Sequence, residues 1–480
     1  MNIFKLSSQL RNHLLSIFCL ILLLAILFIP AGGTTSAQED EPGGPVYIVQ
    51  EGDTLWDIAQ RFGIPWEDLA RENEINDPGQ LSAGDELVIP GFFGASGVLV
   101  TTQVPLGENL RSLSRRYNLP RETIIQLNHI TTPAELYRGY NLVIPENNQD
   151  EQEIGRLAVA GGQTLLELAI ANSMSPWEFV AGNELEGTWN VVPGDVMLVP
   201  DSDADNGPGS LPGEIASLQF TPDPLVQGET SVLWMTSSEE LEVEGSLNGN
   251  QLSFFPYQAS EYVALQGIHA LAEPGFYPLT IEGELVTGVP IGFSQRIYVE
   301  AGDFAFASLQ VPPETIDPEV TKPEDELWYE LIKPVTTTRL WSGEFQSPVA
   351  PAPCGYTDFF GNRRSYNGSP YNFFHTGLDF CYNYNNDVNE IYAPADGIVV
   401  FAGPLIVRGN AVMIDHGYGI YSGYLHQEEI LVEEGDLVET GQVIGIVGET
   451  GRVNGPHLHF EIWAGGVQVD PLDWLERSFP

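Results

Sequence analysis

Positive charge is what this 480-residue chain most lacks. Its 19 lysines and arginines stand against 66 aspartates and glutamates, a formal net charge of −47. A field of that sign excludes nucleic acid as a partner, because phosphate binding needs a basic surface. It also repels acidic polymers and anionic lipid heads. No loop of the Asp-x-Asp-x-Asp-Gly type occurs, so the acidity is not a stack of calcium sites and reads as a solvated surface. No His-Glu-x-x-His helix occurs either, so the glutamate base that such a helix supplies is missing. Cysteine is nearly absent, with three residues in all.

The amino terminus reads as a leader, domain 1–37. Lys5 and Arg11 precede an apolar run over residues 14–29, and the small residues Thr35, Ser36 and Ala37 follow. That is the pattern of a secretory signal cleaved after Ala37. The run is near the lower limit for crossing a bilayer, so an uncleaved anchor is the alternative and would be the chain's one membrane contact. Cys19 lies inside the run with no small-residue lipobox before it. Either way the bulk of the chain is secreted or held in the envelope, outside the cytoplasmic membrane. Without the leader, 66 acids face 17 bases, near −49. Cys354 and Cys381 remain, in an oxidising compartment where they can form a bridge.

A repeat of 55 residues organises the first 200 positions. Gly52, Gly107 and Gly162 are in register. So are Leu55, Leu110 and Leu165, then Asn73, Asn128 and Asn183, then Gly84, Gly139 and Gly194. In the first copy, residues 46–49 are strand-like and Gly52-Asp53-Thr54-Leu55 opens a helix, with Asp53 or Thr54 as its cap. A second helix runs from about Trp66 to Asn73, and residues 87–90 form a second strand. This β-α-α-β unit resembles the LysM module in its Gly-Asp-Thr-Leu turn, its Asn73 and its Gly84-Asp85-x-Leu87-x-Ile89-Pro90 ending. The resemblance implies binding of N-acetylglucosamine-containing glycan strands through Gly52, Asp53, Thr54 and Leu55 together with residues 75–81, beginning at Ile75. The turn becomes Gly107-Glu108-Asn109-Leu110 in the second copy and Gly162-Gln163-Thr164-Leu165 in the third. The copies span 45–91, 98–146 and 154–201, with a polar linker at 202–214.

Residues 215–301 change pattern to short alternating runs between Gly, Asn and Pro turns, the signature of an immunoglobulin-like β-sandwich. His269 is alone there and reads as structural. A Pro- and acid-rich connector at 302–339 carries one helix near residues 323–333. From 340 to 480 the strands are short and valine-rich, and an antiparallel β-sheet folded into a groove is expected.

Five of the eight histidines fall in the last 106 residues. His457-Leu458-His459 puts two imidazoles on one face of a strand, because side chains there alternate with period two. His375-Thr376-Gly377-Leu378-Asp379 lies about 80 residues earlier. His375, Asp379 and His459 form a three-ligand set for one zinc ion, the usual catalytic number with water in the fourth place. An extended chain would hold the backbones of His375 and Asp379 roughly 13 Å apart, so the segment must bend, and Gly377 permits a bend. His457 stands beside the metal. With no glutamate base available, His426 and His457 are the candidates for proton transfer, since imidazole titrates near neutrality.

From residue 345 onward the order of motifs resembles the lysostaphin/LytM-type zinc metallopeptidases of bacterial cell walls. The stretches are residues 360–364, 375–379, Ala393-Pro394-Ala395-Asp396-Gly397, Asp415-His416-Gly417, Tyr424-Leu425-His426, 448–451 and 455–461. The resemblance implies His375, Asp379 and His459 as zinc ligands, and His426 and His457 as a pair that orients water and stabilises an oxyanion. His416 matches the family pattern without ligating. One departure is the enlarged loop 381–387. The expected function is a secreted, zinc-dependent murein endopeptidase acting on peptidoglycan peptide stems or cross-bridges, targeted by its glycan-binding modules. The alternatives are a non-hydrolytic activator of a murein amidase and a glycan-binding adhesin.

Overall fold

The structure is a computed structural model of the chain. It describes residues 44–480 except 93, 147–153, 184, 186, 188–190, 192–194, 201–210, 239, 286, 287, 289, 352–354, 387 and 388. The leader, most of the 202–214 linker and Cys354 lie outside the described residues. Among the described residues, no helix is long and apolar enough to cross a membrane. Two compact units form, one ending at Ser96 and the other running Gly97–Pro480. The architecture mixes α and β and is rich in sheet.

In the first unit, strands Val46–Ile48 and Glu86–Val88 pair antiparallel around helices Leu55–Arg61 and Trp66–Glu72. Thr54 is the cap, accepting from the Asp57 amide. Asp53 instead accepts from the Tyr47 hydroxyl at 2.6 Å and the Gln50 amide at 2.9 Å. The second unit repeats this order twice. One copy comprises Val98–Gln103, Leu110–Arg116, Arg121–Asn128 and Asn141–Glu146. The other comprises Ile154–Ala158, Leu165–Ala171, Pro176–Gly182 and Val196–Pro200.

The in-register residues have one job per position. Gly52, Gly107 and Gly162 take φ of 90°, 86° and 79°, a left-handed turn that a Cβ would strain. Each asparagine ties the second helix to the last strand. The Asn73 amide nitrogen donates to the Leu69 and Val88 carbonyls at 2.9 and 2.8 Å, and its oxygen accepts from the Val88 amide at 2.7 Å. Asn128 makes the same three bonds to Ile124 and Val143. Asn183 makes them to Phe179 and Leu198.

Residues 215–300 form two sheets. One orders Asn250–Ser253, Leu241–Leu247, Gly275–Leu285, Pro290–Glu300 and Leu225–Val226; the other orders Phe255–Gln258, Glu261–Gly267, Thr230–Ser237 and Ile215–Thr221. Strand Pro290–Glu300 alternates exposed and buried at every residue, as a half-buried strand must. The strands Thr230–Ser237 and Glu261–Gly267 instead bury both faces. One face joins the core between the two sheets, with Leu233 and Ala264. The other carries Val232, Val263 and Leu265 into a cluster with Leu378, Phe460 and Trp474 of the C-terminal sheet. The 215–300 region thus packs against the C-terminal domain, with Phe255 stacked on Tyr418 at 4.2 Å.

The connector helix runs Pro318–Leu331, starting earlier than the sequence pattern indicates, and Asp317 caps it. It lies against the C-terminal sheet: the Glu324 carboxylate accepts from the backbone amides of Ile406, Val407 and Arg408.

The C-terminal sheet has ten strands. Its main path runs Tyr356–Asp358, Leu378–Cys381, His457–Ala464, Ile420–Ile430, Asn410–Gly417, Gly397–Pro404 and Leu437–Val438. Cys381 is disulfide-bonded.

Candidate metal centre

Register brings the ligands together. Strands Leu378–Cys381 and His457–Ala464 are antiparallel neighbours in which Asp379 stands opposite His459. On the other side of the same strand, Leu425 pairs with His459, which leaves His426 at its edge. His426 has φ of 67°, a left-handed conformation that costs a non-glycine residue energy and recurs at functional sites. His375 enters from the loop before Leu378, held by its amide to the Asn362 carbonyl at 2.9 Å. Gly377 is essential here for a reason other than the one expected. Its φ is not left-handed; rather, a Cβ would press on the Phe460 carbonyl and sit 2.8 Å from His459 Nε2.

Three atoms converge. His375 Nε2 is 3.0 Å from Asp379 Oδ1 and 3.0 Å from His459 Nδ1, and His459 Nδ1 is 2.8 Å from Asp379 Oδ1. The three residues form the candidate metal cluster of the described chain. Their tautomers follow from their other partners. His375 Nδ1 lies 2.9 Å from the Phe359 carbonyl, which can only accept, so Nδ1 carries the proton and Nε2 a lone pair. His459 Nε2 lies 3.2 Å from Glu461 Oε1, so its lone pair falls on Nδ1. Two lone pairs and a carboxylate oxygen thus face one another, an arrangement that is repulsive until a cation sits among them.

Electrostatics agree. Burial pushes the Asp379 carboxyl up, but the charge and hydrogen bond of His375 and the bond from His459 outweigh it and hold the group well below its usual range. Burial pushes His459 down, yet Asp379 and Glu461 raise it to about 9, so without an ion Nδ1 holds a proton against Asp379 Oδ1 and the lone pair is exposed only when that proton leaves. A divalent ion held by His375, Asp379 and His459 would take the place of that proton. A tetrahedral ion with bonds of about 2.0–2.2 Å keeps its ligands about 3.3–3.6 Å apart, so the triangle needs to open only slightly. The donor set, two imidazoles and one carboxylate, fits zinc.

Two more imidazoles overlook the centre. His457 Nε2 lies 3.7 Å from Asp379 Oδ1, while its Nδ1 donates to the Gly455 carbonyl at 2.9 Å. His426 donates from Nδ1 to the Thr450 carbonyl at 2.8 Å, and its ring centroid is 5.1 Å from that of His457. Burial pushes His426 down to about 3, helped by the neighbouring His459 and His457, so it is neutral with its lone pair on Nε2. His416 is elsewhere. It is buried, donates to the Asp396 carbonyl at 2.8 Å and accepts from the Ser422 hydroxyl at 2.7 Å, so both its nitrogens are spent.

Several contributors have no obvious sequence signal. Glu461 is the strongest: its fully buried carboxylate accepts from His459, from the indoles of Trp328 and Trp463 at 3.1 and 3.0 Å, and from Gln468 at 3.1 Å. Such a partner orients a metal-binding imidazole and raises its basicity. Alternation along the strand does hint at it, since residues 457, 459 and 461 share a face. The centre opens into a cleft of about 820 Å³ whose walls also include Trp328 and Tyr329 of the connector helix, Arg364, Arg408, Arg452 and, from the first β-region, His269. His269 is therefore not remote, although its Nδ1 accepts from the Leu271 amide at 3.0 Å and its ring packs edge-on against Phe374.

The sites expected on the first repeat divide. Gly52 and Thr54 are exposed and Ile75 is partly so. Leu55 is 2 % exposed and packs in the repeat's own core. Its side chain cannot meet a ligand, because the helix that Thr54 caps turns it inward. The Asp53 carboxylate is likewise committed internally, to Tyr47, Gln50 and Arg61.

Comparison with known proteins agrees with this geometry. Residues 373–471 match Peptidase family M23, and residues 47–90 and 103–145 match the LysM domain. The chain carries an M23 peptidase domain preceded by LysM domains. Peptidoglycan DD-endopeptidase ShyA of Vibrio cholerae is 42% identical over 98 residues, covering 20% of this chain and 22% of that protein. DD-carboxypeptidase/endopeptidase Mpg of Neisseria meningitidis is 43% identical over 98 residues, again 20% and 22%. Murein hydrolase activator EnvC of Escherichia coli is 41% identical over 88 residues, 18% and 21%. The chain spans about a fifth of the length of these relatives.

Proposed function

We propose that the chain is a zinc-dependent endopeptidase that hydrolyses peptide stems or cross-bridges of peptidoglycan in the cell envelope, with one ion held by His375, Asp379 and His459. The observation that carries this reading is the convergence of two fixed lone pairs and a carboxylate oxygen within 3.0 Å of one another. Similarity alone does not decide between hydrolysis and activation, since relatives named for each are about equally similar. The complete ligand set favours hydrolysis.

Held by these three residues, a zinc ion would supply a Lewis acid for the scissile carbonyl and would bring the pKa of a coordinated water towards neutrality, to about 7. The chain's own residues do the rest. His426 is neutral and presents an Nε2 lone pair, so it can take a proton from water. His457, with Nδ1 donating to the Gly455 carbonyl, also presents an Nε2 lone pair beside the ligands. Only after one of the two imidazoles has taken the water's proton can the resulting N–H bond the developing oxyanion or pass the same proton to the leaving amine. Glu461 holds His459 in its ligating tautomer. The first repeat tethers the enzyme to glycan through the surface near Gly52, Thr54 and Ile75. Tethering raises the local concentration at an insoluble substrate and offsets the repulsion expected between an acidic protein and an acidic wall. The 215–301 region, read as an immunoglobulin-like sandwich, braces the peptidase domain and lends a wall to its cleft.

The test is digestion of purified sacculi by the full chain, with chelator and after zinc is restored. Soluble muropeptides with new peptide termini and intact glycan should appear, vanish with chelator and return with zinc. Release that is insensitive to chelator, or that persists in His459→Ala, would refute the assignment.

A further inference from the structure

The cleft wall carries three arginines in a chain that has 19 basic residues against 66 acids. Two are neutralised in place. Arg364 pairs with Asp358 at 2.6 Å, and Arg408 pairs with Asp325 at 2.8 Å and Glu324 at 3.6 Å. Arg452 has no carboxylate within ion-pair distance among the described residues. It donates to the Thr315 carbonyl at 2.9 Å and lies over the Tyr366 ring at 5.2 Å. Asp325 acts on it electrostatically but is bonded to Arg408. The cleft's own acids are also committed: Asp379 among the ligands, Glu461 to two indoles, Gln468 and His459, and Asp358 to Arg364. One cation is therefore left over, on a wall shared with His457. A partly buried guanidinium without an anion is costly, and its planar fork suits a carboxylate.

We propose that Arg452 is a specificity-determining residue whose guanidinium pairs with a free carboxylate of the peptide in the cleft. The favoured substrate is then a stem peptide bearing a carboxylate close to the scissile bond, and a neutral glycine bridge is disfavoured. This rests on the peptidase reading for its turnover arm, while its binding arm does not. The stacked Tyr366 and the Thr315 carbonyl hold the side chain extended, so little rotamer freedom is lost on pairing.

The experiment compares two zinc-loaded full-length proteins, wild type and Arg452→Gln, on a matched pair of cross-linked muropeptides. One has a free carboxylate on the diamino acid and the other has that group amidated. Calorimetry reads binding and product analysis reads kcat and KM. Wild type should favour the carboxylate form by about 10- to 100-fold. Arg452→Gln should shrink that ratio towards one, chiefly through KM, and Arg452→Lys should restore part of it. Equal losses on both substrates, or a ratio that does not move, would overturn the proposal. If wild type cleaves neither form nor intact sacculi, the peptidase reading fails, yet the binding ratio still decides the role of Arg452.

Discussion

The repeats and the metal centre spend their polar groups in opposite ways. In each repeat the in-register asparagine spends both its amide N–H groups and its oxygen on backbone. Two donations and one acceptance close on backbone of the same repeat, and no N–H is left to bind anything else. In the metal centre each of the four imidazoles spends one nitrogen on a carbonyl or carboxylate, and His375 and His459 turn their other nitrogens towards Asp379 Oδ1, where the three atoms converge. The same chemistry of tying a side chain down yields stability in one place and reactivity in the other. The difference lies only in whether a lone pair is left unspent.

Breaking the reactive side should have the largest effect. Asp379→Asn leaves the strand pairing intact but removes the charge that holds the ion, and sacculus turnover should fall by at least about a thousandfold, several kcal/mol of transition-state stabilisation. Glu461→Gln keeps the shape but weakens the acceptor for His459. Zinc affinity by competition with a chromophoric chelator should drop by about 10- to 100-fold.

His416 sharpens the contrast, because it belongs to the reactive sheet yet is spent like a repeat asparagine. Burial lowers it from 6.5 to about 4. Between those values the unfolded chain takes up a proton that the folded chain refuses. Its contribution is therefore complete above about pH 6.5 and is lost as pH falls towards 4, by up to about 3 kcal/mol. Urea unfolding at pH 7, 5.5 and 4.5 should show this slope, and His416→Asn should flatten it.

On the repeat side, Asn183→Ala should cost about 1–3 kcal/mol by stranding the Leu198 backbone groups, read as the loss of the third copy's protection in hydrogen exchange. The smallest effect separates packing from binding in the first copy. Leu55→Ala should lower its stability, whereas Ile75→Asp should leave stability alone and weaken retention on insoluble glycan by a few-fold, measured by co-sedimentation.

Much of this centre was legible because its chemistry is periodic. A His-x-His pair and a His-x-x-x-Asp pair carry their geometry in their spacing, and the sheet needed only to set Asp379 opposite His459. The repeat was legible for a similar reason, since glycines and asparagines recur every 55 residues. What pattern could not carry was the meeting of distant segments. Trp328 reaches Glu461 across 133 positions, and His269 comes to the cleft from another region, because the strands Thr230–Ser237 and Glu261–Gly267 bury both faces. Gly377 was recognisable as special, but its reason, contact with the Phe460 carbonyl, depends on a strand some 80 residues away. Leu55 shows the converse error: a residue inside a binding motif can serve only the core beneath it.

The most direct test of the account counts zinc per chain by elemental analysis after equilibrium dialysis, in wild type and in His459→Ala. One ion in wild type and none retained in the variant is the predicted result. Wild-type protein that is active without stoichiometric metal, or a variant that keeps its ion, would contradict it.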